Sequence, residues 1–376
     1  MKYDLATKLL KKSKGRHDDL IKAFAAKDLH QPGLMQAVAA SIGDGDTNLA
    51  HYVTETVLPA YGQAVVPVLV SAFDPNGKLV DARRLAAIRR IDPSTALQLA
   101  RTALSASHES LVTEVIRSLQ GSGIDSMSIF NLSQRRNERI QQEAFRALSG
   151  VNEQAVVDAV ADSFKRGTPW VSHAIQFTPH PTYTALCVSA LQTLGEAADA
   201  AGFLTEKQAK WLSRVLQACH GHGGNELDAA LYRWVNRASK GFFTEELRYH
   251  WNKGDLARAA AMSSTPMAQR MLVASRDCFE LLHMPPIMAA AAWHADLDLV
   301  ELFSPYLAPS NKPGRCRGWF CGCSGDWPCS LYSAVEFALD VDFASVDYRG
   351  RKPHPLQLPV IQRIRDDPRW KTARLV

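Results

Sequence analysis

The sequence predicts an all-α chain whose helices stack as antiparallel pairs, an α-solenoid. Two observations carry this. First, a short signature recurs: residues 82–91 read ARRLAAIRRI, 110–119 read SLVTEVIRSL and 139–148 read RIQQEAFRAL. Each places a large apolar residue, an Arg, and an apolar residue two positions on: Ile88-Arg89-Ile91, Ile116-Arg117-Leu119 and Phe145-Arg146-Leu148. Recurrence at roughly 28–31 residues is the mark of a stacked helical array. Second, each signature helix is followed by a break, at Asp92-Pro93-Ser94, Gly121-Ser122-Gly123 and Gly150-Val151-Asn152, and then by another helical pattern. Neither helix of such a pair can bury its apolar face alone, so the pairs must stack.

Taken in order, the elements follow from apolar spacing and turn chemistry. Residues 5–10, 20–24 and 34–42 carry apolar side chains three and four apart, punctuated by Pro32-Gly33 and by the Gly43–Asp46 run. Residues 52–58 and 64–73 continue the pattern up to the turn Asp74-Pro75-Asn76-Gly77. The return helices of the array fall at 95–104, 126–132 and 153–164, with Pro93 and Ser94 placed to start the first. Residues 170–183, WVSHAIQFTPHPTY, interrupt the array and read as a loop or short extended excursion. Helices resume at 183–194, 206–218 and 226–238, and the Gly-rich linker 219–225 between the last two reads as mobile.

Residues 137–150, NERIQQEAFRALSG, resemble the second helix of a HEAT repeat. Asn137, Ile140, Ala144, Ala147, Leu148 and Gly150 match, with Gln141 where the family often has Arg; residues 189–195, SALQTLG, match again. The resemblance spans about residues 50–200 and implies a HEAT-like domain over 1–240. Residues 286–303, PIMAAAAWHADLDLVELF, resemble one ankyrin repeat through Pro286, Ile287, Ala290, Ala291, Leu299, Val300, Leu302 and Phe303, with Met288 in place of the family's His. Residues 246–261 resemble a degenerate ankyrin start, with 253–256 expected at the inter-helix turn, and 347–358 are similar to the loop that leads into the next unit. This implies an ankyrin-like region over 241–376, interrupted by a Cys-rich insertion at 314–329.

Composition sets the outer bounds. The 376 residues are 46% hydrophobic and 22% charged, ordinary for a chain that buries a continuous core. A net charge of +5 is too mild for a dedicated nucleic-acid binder. No stretch reaches the roughly 18 apolar residues of a membrane span, and residues 1–19 lack the apolar centre of a signal peptide, so a cytoplasmic protein, or one exported by a route that needs no cleaved signal, is expected.

Three groups of residues are candidates for chemistry. The segment RCRGWFCGCSGDWPC holds Cys316, Cys321, Cys323 and Cys329 among glycines, with Trp319 and Trp327 beside them. Four thiolates so close together suit a structural zinc ion, whose binding would fold the loop; one or two disulfides, or free thiols, fit the same spacing. Cys219, His220 and His222 form a second possible ligand set, or a solvated one. The column Arg89, Arg117 and Arg146 reads either as repeat-phased structural residues, stems packed and heads in water, or with Arg84 as a basic stripe for an acidic partner. Acidic residues interspersed along it dilute the field.

The sequence holds no Walker loop, no dinucleotide fingerprint, no His-Glu-x-x-His and no Gly-x-Ser-x-Gly. The expectation is therefore a non-enzymatic adaptor, scaffold, inhibitor or immunity-type protein. It would bind another protein through Arg84, Arg89, Arg117, Arg146, Trp293, Trp319 and Trp327, without membrane contact. The alternative, implied by the HEAT resemblance, is a nucleic-acid binder related in architecture to alkylbase DNA glycosylases. The absence of Trp and Tyr from residues 77–167 counts against it.

Overall fold

A computed structural model describes residues 16–30, 32–123, 125–243, 252–261 and 266–275, and among these every regular element is helical. The chain forms two compact units that divide between Ala174 and Ile175. The expected boundary at 240/241 lies inside the second of them.

In the first unit, α1 (Arg16–Ala25) and α2 (Met35–Ser41) flank two short 3-10 turns. Next, α3 (Thr47–Tyr52) continues through a π-helical segment, Val53–Val57, into α4 (Leu58–Ala60). Pro59 has no N–H to give the helical ladder, and the helix widens just ahead of it. A 3-10 turn then leads to α5 (Val66–Ser71).

The signature helices and the helices that follow them are α6 (Leu79–Ile91), α7 (Pro93–Thr102), α8 (Glu109–Leu119), α9 (Ser126–Ser133), α10 (Glu138–Ala147) and α11 (Gln154–Lys165). Their starts are chemically marked. Asp92 caps α7 through the N–H groups of Ser94 and Thr95, with Pro93 at the first helical position. Asn137 caps α10 by accepting from the Ile140 N–H at 3.0 Å. These caps satisfy donors that a helix end otherwise leaves bare. The hydroxyls and N–H groups of Ser94 and Thr95 hold the Asp92 carboxyl down at about 2.

Packing alternates. α6 lies against α7 and α8, α8 against α7, α9 and α10, and α9 against α10 and α11. Among the signature helices, α8 thus lies against both α6 and α10. α8 is the most enclosed: Leu111 to Ile116 and Leu119 are all buried. Alanines at 82, 87, 96, 100, 144 and 147 let backbones approach, while Phe145 and Phe164 fill the wider gaps.

The short helix α12 (Ser172–Ile175) stands where the units divide. The second unit holds α13 (Pro181–Ala201), α14 (Glu206–Ala218), α15 (Asn225–Ser239), α16 (Asn252–Ala261) and α17 (Pro266–Ala274). Here too each helix packs on its neighbour but one: α13 on α15, α14 on α16, α15 on α17. Gly202, at φ +75°, ends α13 in the left-handed conformation that glycine tolerates best.

One expectation fails here. Residues 253–256 are the first turn of α16, not an inter-helix turn. Polar anchors explain this: Asn252 donates to the Ala209 carbonyl at 2.9 Å and Asp255 accepts from the Ser213 hydroxyl, which ties the start of α16 to α14. The better ankyrin-like segment, 286–303, and the loop 347–358 lie outside the described residues.

Phe145 is wholly buried in α10. Phe145→Ala is expected to cost about 3–5 kcal/mol in urea unfolding of the full chain. Leu79→Ala, at a side chain 43% exposed, should stay within about 0.5 kcal/mol of the parent.

Candidate functional site

The Arg column is built into the stack. Arg89 of α6 donates through Nε to Glu114 Oε1 of α8 at 2.6 Å. Arg117 of α8 donates in the same way to Glu143 Oε1 of α10 at 2.7 Å. Each arginine therefore reaches forward to a carboxylate on the next signature helix. Each carboxylate stands three positions before that helix's own arginine. Arg117 also approaches Glu114 Oε2 at 3.5 Å, so Glu114 is held from both sides. The Glu114 side chain is only 7% exposed, against 35% for Arg89 and 37% for Arg117. A carboxylate so enclosed needs paired charge, and the half-exposed guanidiniums supply it.

Other arginines of the first unit are engaged likewise. Arg84 pairs with Asp81 at 2.7 Å and Arg90 with Glu55. Arg101 grips Asp125 through Nε and Nη2, and this contact holds the Asp125 carboxyl below its ordinary value. Arg83 donates to the Ile42 carbonyl at 2.9 Å and Arg135 to the Leu104 carbonyl at 2.7 Å. Glu109 accepts from Asn137 at 2.9 Å and from Arg139 at 3.0 Å, which ties the start of α8 to the start of α10.

Arg146 and Arg136 are the exceptions. Neither side chain makes an ion pair or hydrogen bond among the described residues. The column stops there: beyond α11, the positions where the spacing calls for a glutamate hold Val171 and Ser172. Of the four predicted arginines, then, Arg84, Arg89 and Arg117 are paired and Arg146 is not. Glu114 and Glu143 read in the sequence only as interspersed acids that dilute the field; their pairing was missed, though Glu114-x-x-Arg117 and Glu143-x-x-Arg146 carried the signal.

The second candidate cluster resolves differently. The turn 219–224, expected to be mobile, is anchored: Cys219 and His222 are buried, and the His220 carbonyl accepts the Phe177 N–H at 2.8 Å. Gly221 sits at φ +78° against Phe177, where an added Cβ would come within 2.7 Å of the ring, so the glycine serves close approach. His222 uses both ring nitrogens. The Ile175 carbonyl, 2.9 Å from Nε2, can only accept, so Nε2 carries the proton. Nδ1, 3.1 Å from Thr184 Oγ1, then accepts from that hydroxyl. Burial pushes the His222 pKa down, against the opposing pull of the Ile175 carbonyl. With both nitrogens taken, His222 has no lone pair for a metal. Among the described residues no group of three His, Cys, Asp or Glu side chains converges to hold one.

Cys316, Cys321, Cys323, Cys329, Trp293, Trp319 and Trp327 lie outside the described residues. Among those described, no helix is long and apolar enough to cross a membrane. Comparison of the chain with known protein families, with curated proteins and with solved structures finds no match.

Two outcomes are expected. Glu114→Ala leaves two guanidiniums facing an empty site; given their partial exposure it should cost about 1–3 kcal/mol in urea unfolding, below the full penalty of breaking a buried pair. His222 is held neutral, so its contribution is present above the unfolded-state pKa of about 6.5 and is lost as pH falls below that value toward the lower folded pKa. The Tm should fall with acidification through this window, and His222→Gln should flatten that segment of the profile.

Proposed function

We propose that the chain is a non-enzymatic interaction protein, a scaffold or adaptor that works in the cytoplasm. It would hold another protein along a HEAT-like α-solenoid formed by α6 to α11. Inhibitor and immunity-type roles fall within the same reading. The observation that supports it most is the charged column that joins α6, α8 and α10. It sets the helices in register as a stiff platform and ends on a cation, Arg146, with no carboxylate of its own among the described residues. An acidic side chain from a partner would continue the pattern at that point.

The pairing also bears on the nucleic-acid alternative. A phosphate at Arg89 or Arg117 would have to displace Glu114 or Glu143 from contacts of 2.6 and 2.7 Å. That cost, with the enclosed position of Glu114, favours a protein partner over a polyanion.

The test is to capture the partner from the native host with the full chain, purify it, and titrate it against variants. Arg146→Glu is expected to weaken binding about tenfold without lowering the urea midpoint. Equal affinity for the parent and for Arg146→Glu would remove this surface from the proposal. A salt-dependent shift of duplex DNA at low ionic strength would bring back the alternative.

A further inference from the structure

Cys187 lies inside the long helix α13, and Cys219 closes the C-terminal end of α14, a helix packed against it. Both are free thiols, buried at 0% and 1% exposure, and each stands roughly four helical turns from the short connection at 202–205, which puts them at the same level of the packed pair. Cys187 is covered within a helix of 21 residues. Cys219 instead begins the turn that His222 and the Phe177 N–H fasten down. Releasing that turn would uncover Cys219 first.

We propose that Cys187 and Cys219 are a redox pair, which a small-molecule disulfide oxidises to an intramolecular bridge clamping α13 to the end of α14. When the turn opens, the Cys219 thiol loses its proton to solvent and attacks one sulfur of the disulfide. The first small thiol leaves as thiolate and takes up a proton. Cys187 then attacks the Cys219 sulfur of the mixed disulfide, and the second small thiol leaves in the same way. In balance, two protein thiols and one disulfide become one protein disulfide and two small thiols: the protein is oxidised by two electrons and the reagent is reduced by two. In the closed turn, burial pushes the Cys219 thiol well above its ordinary pKa, and contact with Cys187 adds to this. The nucleophilic thiolate is thereby suppressed, so reaction waits on opening of the turn. The His222 contacts set how often that occurs.

The experiment treats the full reduced chain with oxidised glutathione, blocks remaining thiols by alkylation, and maps the peptides by mass spectrometry. The expected result is a peptide linked through Cys187 and Cys219, together with a Tm several degrees above that of the reduced chain. The Cys187→Ala, Cys219→Ala double variant, treated identically, controls for oxidation at the other cysteines and should show no such rise. Cys187→Ala alone should stop at the mixed disulfide and retain glutathione on Cys219. His222→Gln should form the bridge severalfold faster. Recovery of Cys187 and Cys219 as alkylated thiols, or their bridging to other cysteines instead, would overturn the pair. A 187–219 bridge with a Tm at or below the reduced value would overturn the clamp.

Discussion

The first unit depends on the Glu114 carboxylate. It lies on the most enclosed helix of the array, and its charge is tolerable there because Arg89 and Arg117 approach from two sides. Apolar burial is non-directional and would accept many offsets between α6, α8 and α10, whose facing residues are mostly Ala, Val, Leu and Ile. The forward contacts from Arg89 to Glu114 and from Arg117 to Glu143 are not so permissive. Sliding one helix by a turn, about 5.4 Å, would part each guanidinium from its carboxylate and leave Glu114 buried without a counter-charge. Charge thus selects one register among several that packing alone would allow.

The rest of the first unit follows from that choice. With the signature helices fixed, the return helices need only meet their ends. Arg101 meets Asp125 and Arg135 meets the carbonyls of Leu104 and Ala106, so each break between repeats is tied to its neighbour. Glu109 performs the same service at the other end through Asn137, which also caps α10. Where the glutamate column ends, the helix lengths change as well: α12 has four residues, and Trp170 and Phe177 on either side take up left-handed backbone angles unusual for their type.

Much of this was legible. Apolar spacing located α6 to α11 and α13 to α15, and Pro93, Asn137 and Gly150 marked boundaries for reasons of backbone geometry that hold whatever the tertiary context. The arginine column was visible too, but its meaning was not, because an ion pair across about 25 residues leaves no local pattern unless the glutamate is read with the arginine three positions later. Glycine was the other source of error. In residues 219–225 it suggested freedom, whereas Gly221 is required by contact with Phe177. At 253–256 it was the ankyrin resemblance that suggested a turn, whereas Asn252 and Asp255 hold the segment helical from outside. The π-helical step at Val53–Val57 had only Pro59 as a signal.

The arginine column of the first unit and the turn after α14 in the second are held by different chemistry. In the first, half-exposed guanidiniums pair with enclosed carboxylates, contacts that added salt weakens where they meet solvent. In the second, the turn after α14 is held by a neutral imidazole, a threonine hydroxyl and a backbone carbonyl, with Trp234 donating to the Leu191 carbonyl at 3.1 Å deeper in the core. Such neutral bonds are indifferent to ionic strength and sensitive instead to the protonation of one ring. These two features therefore respond to different variables. Conditions that loosen the arginine column need not loosen the turn around His222, so the proposed partner surface on the first unit and the proposed redox bridge in the second would be open to separate control.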